Sequence, residues 1–245
     1  MSSPQYICLL SWIPLRASAS STSEMVSSLL FGETCSLIQI HGDWLEVKTN
    51  SDHYLGFIPQ SYLHPFSSEH ETYTVCIPYQ TAAISSDNSQ IINLSPGSLM
   101  PPSGVINLHE TAFIIPQEKK EPNAEKMLLQ FLNAPYLWGG RSIFGLDCSG
   151  LTQVYARLLG ISLPRDAYQQ AEVGETIPFE NQQYGDLAFF ANHLGKITHV
   201  GVITNHNQII HASGMVRQDI LTTEGIVNTN TQKLTHTLAH IKRMT

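Results

Sequence analysis

Basic charge is scarce in this sequence: 13 Lys and Arg stand against 20 Asp and Glu in 245 residues, a formal net charge of −7. A protein that neutralises phosphates needs a basic patch, and no run of Lys and Arg is present, which excludes nucleic acid as a partner. An acidic balance suits a cationic or amine-bearing ligand, although it is also the common state of soluble proteins. Long apolar runs are missing too. A membrane-spanning helix needs about 18 or more consecutive apolar residues, and no segment approaches that, so no membrane partner is expected. Cysteine is sparse: Cys8, Cys35, Cys76 and Cys148 are scattered without CxxC spacing. That pattern is neither a zinc ribbon nor a dense disulfide framework. Near the N-terminus, Tyr6 to Leu15 is a short apolar run followed by Ala17-Ser18-Ala19, which resembles a signal-peptidase site. However, no Lys or Arg precedes the run, Trp12 and Pro14 interrupt it, and Arg16 stands where small residues are wanted. The expectation is a buried first strand and a cytoplasmic protein.

What is present is an ordinary apolar content of 42% and a length that suits two or three domains. Residues 1 to about 118 read as short strands broken by turns. His41-Gly42-Asp43 precedes the strand Trp44 to Val47, and Asn50-Ser51-Asp52 precedes Tyr54-Leu55-Gly56-Phe57-Ile58-Pro59. A second set runs Tyr73 to Ile77, Ala82 to Ile84, Ile91 to Leu94 and Phe113 to Ile115, with Ser95-Pro96-Gly97 and Pro101-Pro102-Ser103-Gly104 as turns. Strands this short with turns this frequent predict two small β-barrels rather than a parallel sheet. The charged stretch between Pro116 and Glu125 reads as a linker, and Asn123 as the cap of a helix from Ala124 to Leu132. The domain reading is therefore 1–66, 67–118 and 119–245.

The chemistry gathers around Cys148. Leu151, Val154, Tyr155, Leu158 and Leu159 fall at helical spacing, and Gly160 supplies a stop. The helix therefore begins near Asp147 or Cys148, where unpaired backbone N–H groups and the helix dipole favour thiolate over thiol. Trp138-Gly139-Gly140 and Gly145 keep side chains away, so a substrate backbone can approach. A lone cysteine is usually a small buried hydrophobe, which fits Cys8, Cys35 and Cys76 but fits Cys148 poorly. Two strands, Ile197 to Ile203 and Ile209 to Ser213, flank the polar turn Thr204 to Gln208. His199 and His211 are both odd-numbered, so any register in which paired numbers have an even sum puts them on one face. A turn centred on Asn205 makes them directly opposite, and one centred on His206 makes them diagonal neighbours; both are within reach of an imidazole. One His can take the thiol proton while the other fixes its ring and tautomer. The same Cys, His and His could alternatively hold zinc, but no fourth ligand is evident.

Residues 135 to 215 resemble the NlpC-type, papain-like cysteine peptidases of bacterial cell-wall metabolism. The matching segments are Pro135 to Gly140, Asp147-Cys148-Ser149-Gly150-Leu151, Leu163-Pro164-Arg165-Asp166-Ala167-Tyr168-Gln169-Gln170, Gly185 to Phe190, and the His199 and His211 strands. The resemblance implies Cys148 as nucleophile, His199 as base and His211 as its orienting residue, with the Tyr136 hydroxyl assisting the Cys148 backbone N–H at the oxyanion. Gly42-Asp43-Trp44-Leu45-Glu46-Val47 and Gly56-Phe57-Ile58-Pro59 resemble bacterial Src-homology-3-like barrels. The combination is similar to γ-D-glutamyl-L-diamino-acid endopeptidases, which trim peptidoglycan stem peptides. That group implies Asp166 as a carboxylate for the free amine of an N-terminal L-Ala, and Asp147, Ser149 and Trp138 as further substrate contacts. Glu24 and Tyr54 match the residues that close the amine end. Ala167 departs from relatives that carry Ser there, so one substrate hydrogen bond is not implied.

The resulting expectation is an α+β papain-like catalytic domain preceded by two Src-homology-3-like barrels. It would be a monomer acting on peptidoglycan-derived peptides with neither metal nor organic cofactor. The competing expectations are an exported wall-remodelling hydrolase, a non-catalytic peptidoglycan-binding module, and acyl transfer or deamidation by the same Cys and His.

Overall fold

The computed structural model describes residues 3–67, 73, 75–108, 111–116, 123–205 and 207–244. The charged stretch Gln117 to Pro122, expected as a linker, lies outside them. The chain divides into two compact units, Met1–Gln130 with Trp138–Ser142, and Phe131–Leu137 with Ile143–Thr245.

In the first unit, the apolar run after Tyr6 forms two strands rather than one, β1 (Gln5–Cys8) and β2 (Trp12–Arg16). They join β3 (Met25–Leu30), β4 (Thr34–His41), β5 (Trp44–Thr49), β6 (Leu55–Pro59) and β7 (Leu63–Phe66) in a sheet ordered β3-β2-β6-β5-β4-β1-β7. The Gly42-Asp43 turn sets His41 opposite Trp44, so Leu45 and Val47 alternate inward with Ile13, Leu15, Leu29 and Ile58. Beyond it, β8 (Val75–Cys76) pairs with β11 (Leu99–Met100). The strands β9 (Thr81–Ser85), β10 (Ile91–Leu94), β12 (Val105–Leu108) and β13 (Thr111–Ile114) form a sheet ordered β10-β9-β13-β12. Its core borrows from the first sheet: Ile7, Leu9 and Phe31 pack with Ile77, Leu94, Ile106 and Phe113. Helix α1 (Ala124–Leu129) is capped as expected, the Asn123 side chain accepting from the Lys126 N–H at 2.9 Å, and it stops three residues short of the expected end. The strand β14 (Arg141–Ser142) carries a buried cation. Arg141 meets Glu33 at 2.9 and 3.1 Å and the Ser28 carbonyl at 2.7 Å, which fastens Trp138–Ser142 to the first sheet.

The second unit holds β15 (Gly145–Leu146), α2 (Cys148–Leu158), α3 (Ala167–Gln170) and seven strands. These are β16 (Glu175–Ile177), β17 (Leu187–Ala191), β18 (Ile197–Thr204), β19 (Gln208–Ser213), β20 (Met215–Leu221), β21 (Gly225–Val227) and β22 (Leu234–Arg243). Their order is β16-β22-β17-β18-β19-β20-β21, and β21 also pairs with β22, so the sheet expected beside the helix closes into an antiparallel barrel. Closure needs a residue without a side chain at Gly225, where φ is +141° and a Cβ would lie 1.8 Å from the His236 carbonyl oxygen. Ile203, Ile209, Leu221, Ile226 and Ile241 fill the barrel.

Candidate active site

Cys148 opens α2, and Asp147 is its N-cap: the carboxylate accepts from the Gly150 N–H at 2.7 Å. Both Asp147 oxygens are also held by the Arg165 guanidinium, at 3.0 and 2.5 Å, and the same Arg165 donates to the Ser149 hydroxyl at 2.8 Å. Asp147, Ser149 and Arg165 are all buried. The two residues flanking the nucleophile, which the resemblance assigns to substrate contacts, are thus bound into one buried network. Arg165 was visible in the sequence only as part of a motif, with no role attached. Its signal is chemical: a buried Asp at a helix cap needs a bidentate cation nearby.

The strands β18 and β19 pair with Gly201 opposite His211 and Thr204 opposite Gln208. Paired numbers therefore sum to 412, the diagonal alternative for His199 and His211. Gly201 makes that diagonal passable, because a Cβ there would stand 2.9 Å from the His211 Cβ. The imidazoles meet, His199 Nε2 to His211 Nδ1, at 2.8 Å, and both are buried. The chain then turns tightly at Gly214, with Ser213 opposite Met215 and His211 opposite Arg217. Asp219 stands diagonal to His211 in the same sense, and its carboxylate lies 3.1 Å from His211 Nε2. Sequence reasoning missed Asp219, and it missed His236 of β22, whose ring stacks on His199 at 4.1 Å and 22°.

His199, His211 and His236 have nitrogen atoms within 4.8 Å of one another. A metal would need their lone pairs to converge. Stacked rings aim theirs side by side, and both His211 nitrogens already face Asp219 and His199. Among the described residues this group does not include Cys148, so it is not the Cys, His, His set of the alternative zinc reading.

The expectation of a ready thiolate is not met. Burial, then the Asp147 charge, push the Cys148 thiol up to about 11, and the backbone N–H groups of Val200 and Ser149 and the Arg165 charge only partly oppose them. Burial, then the neighbouring His211 and His236, hold His199 well below its ordinary value. The resting pair is therefore neutral thiol and neutral imidazole. Alkylation of Cys148 by iodoacetamide, followed by peptide mapping, should accelerate about tenfold per pH unit between pH 7 and 10. A plateau below pH 8 would contradict this reading.

Tyr136 bridges to Leu146 and donates its N–H to the Gly214 carbonyl at 3.1 Å. Burial, then the Cys148 and Asp147 charges, push its phenol up to about 12, so it keeps its proton as a donor. Asp166 is the half-buried N-cap of α3, its N–H donating to the Gln169 side chain at 3.3 Å. In the first unit, the exposed Glu24 carboxylate accepts from the Trp138 indole N–H at 2.6 Å. Tyr54 packs against the first core, with its N–H held by the Thr49 hydroxyl at 2.7 Å. Cys8 and Cys35 are buried in that core, as expected of structural cysteines.

Residues 133–238, which hold the thiol and the three histidines, match the NlpC/P60 family. A γ-D-glutamyl-L-lysine dipeptidyl-peptidase of Bacillus subtilis is 30% identical over 211 residues, covering 76% of this chain and 71% of that protein. This chain belongs to the NlpC/P60 family. Its NlpC/P60 domain is preceded by an SH3-like domain, since residues 15–63 match the bacterial dipeptidyl-peptidase Sh3 domain. A Bacillus cereus protein of the same name as the B. subtilis relative is 27% identical over 228 residues, covering 78% of this chain and 68% of that one. The crystal structure of an NlpC/P60 family protein from Bacillus cereus shares the fold. It has a TM-score of 0.77 at 21% identity and covers 98% of this chain and 99% of that one.

Proposed function

We propose that this NlpC/P60 protein is a cysteine endopeptidase that hydrolyses the γ-D-glutamyl–L-diamino-acid amide of peptidoglycan stem peptides. The observation that carries the reading is Cys148 at the start of α2 in the same unit as the hydrogen-bonded His199–His211 pair. The name of the two Bacillus relatives, a dipeptidyl-peptidase at γ-D-glutamyl-L-lysine, supports both the bond and a free N-terminus.

The Cys148 sulfur attacks the amide carbon as its proton passes to His199. The oxyanion is stabilised by the Cys148 backbone N–H and the protonated Tyr136 hydroxyl. His199 returns the proton to the leaving amine, and the C–N bond breaks. Water, deprotonated by His199, then adds to the thioester; the carboxylic acid leaves and the thiol is restored. All of these groups belong to one chain, so a monomer suffices. In the finer fold reading, the C-terminal unit is papain-like, and the sheet of β9, β10, β12 and β13 with the β8–β11 pair is a second SH3-like barrel.

Asp166 supplies a carboxylate for the N-terminal ammonium, which restricts the substrate to released stem peptides and the role to recycling in the cytoplasm. Free L-Ala-headed peptides should then be cleaved about 100-fold faster than the same peptides linked through L-Ala to muramic acid, as one lost charge-assisted contact implies. Equal rates, read by mass spectrometry, would overturn the amine requirement. An unchanged preference in a Glu24→Gln protein would remove Glu24 from the reading.

A further inference from the structure

We propose that Asp219 is a positioning residue for hydrolysis, the far anchor of a relay Asp219–His211–His199 that selects the tautomer of the base. This inference rests on the assignment of His199 as base under the proposed function.

An ionised carboxylate only accepts hydrogen bonds, so the His211 nitrogen facing Asp219, Nε2, carries the proton. In the relay His211 carries this one proton, so its Nδ1 is bare and can only accept, and the atom it faces is His199 Nε2 at 2.8 Å. His199 must therefore carry its proton on Nε2 and leave Nδ1 bare. One carboxylate thus fixes which nitrogen of the base is free to take the thiol proton, two side chains away. The carboxylate is itself held. The Thr229 N–H donates to Oδ1 at 2.8 Å and Arg217 Nη2 to the same oxygen at 3.1 Å, while Oδ2 faces His211. Arg217 also approaches Oδ2 through Nε at 2.8 Å. The side chains of Asp219 and His211 are each 1% exposed, so water does not compete for either hydrogen bond. When His199 becomes imidazolium during attack, the same chain places the Asp219 charge behind it. The carboxyl of Asp219 is held far below its usual range against burial, by its bonds to His211, Thr229 and Arg217, so it stays ionised throughout. Nothing in this relay duplicates the stacked His236, whose ring meets His199 by its face.

The direct test is nitrogen-15 NMR of histidine-labelled wild-type protein at neutral pH. Both rings should carry a proton on Nε2 and none on Nδ1; a proton on Nδ1 of either ring overturns the proposal without any variant. The kinetic test is Asp219→Asn. An amide can present its NH2 to His211 Nε2 and reverse both tautomers, so kcat should fall about 100-fold with KM within about twofold. An Asp219→Asn protein that unfolds at the wild-type temperature yet keeps kcat within threefold would sink the relay. If the wild-type protein hydrolyses no stem peptide at all, the proposed function fails, while the NMR result still decides the relay.

Discussion

A Cys148→Ala protein is expected to hydrolyse stem peptides at least about 10⁴-fold more slowly than wild type, with His199→Ala close behind. The size of the effect follows from the site's resting state. With the thiol pushed up to about 11, only about one Cys148 in 10⁴ is thiolate at pH 7, so the sulfur depends on His199 to remove its proton as the bond forms. The sign of the pH dependence follows as well. His199 serves as a base only when neutral, and its affinity for protons is depressed by burial and by the two neighbouring histidines. The acid limb of kcat/KM should therefore lie below pH 6.5, the ordinary value for histidine, with activity sustained from there upward. Because the two groups act as a unit, the double variant should be little worse than either single one.

Arg165→Met is expected to unfold about 10 °C below wild type and to lose activity. The guanidinium and the Asp147 carboxylate are both buried and paired in two places. Removing one member of such a pair strands the other charge at a cost of about 3–5 kcal/mol, and about 2–4 °C is lost per kcal/mol in a chain of this size. The stranded carboxylate lies next in sequence to the nucleophile, where its charge already opposes thiolate formation, so iodoacetamide should alkylate Cys148 more slowly in the variant. Adding Asp147→Asn removes the stranded charge. The double variant should recover most of the melting temperature, as read by calorimetry. Failure to recover it would mean that Arg165 stabilises the unit by packing rather than by neutralising Asp147.

Much of this was legible in the sequence, for local reasons. Cys148 stood at a helix start because the apolar spacing after it and Gly160 bounded the helix. His199 and His211 shared parity across a short turn, which restricted the register to two choices. The structure takes the diagonal one and uses Gly201 to clear the way. Asp219 was within reach of the same reasoning. Gly214 marks a tight turn, and odd numbers on both sides of it put Asp219 on the His211 face. His236 was not legible, because it arrives from β22, which joins the sheet through a long-range pairing with β17 rather than through a short turn beside β18 or β19. The thiol's charge state was misread for a related reason. Helix position and dipole are local, whereas burial is set by the whole unit, and here burial is the larger effect. Cores shared between sheets are equally invisible to strand-by-strand reading: Ile7, Leu9 and Phe31 serve the second sheet of the first unit.

The most direct measurement is mass spectrometry of L-Ala-γ-D-Glu-L-Lys-D-Ala incubated with wild-type and Cys148→Ala protein. The account predicts L-Ala-D-Glu and L-Lys-D-Ala from wild type and intact peptide from the variant. Cleavage by Cys148→Ala at a comparable rate, or cleavage by wild type at any other bond, would contradict it.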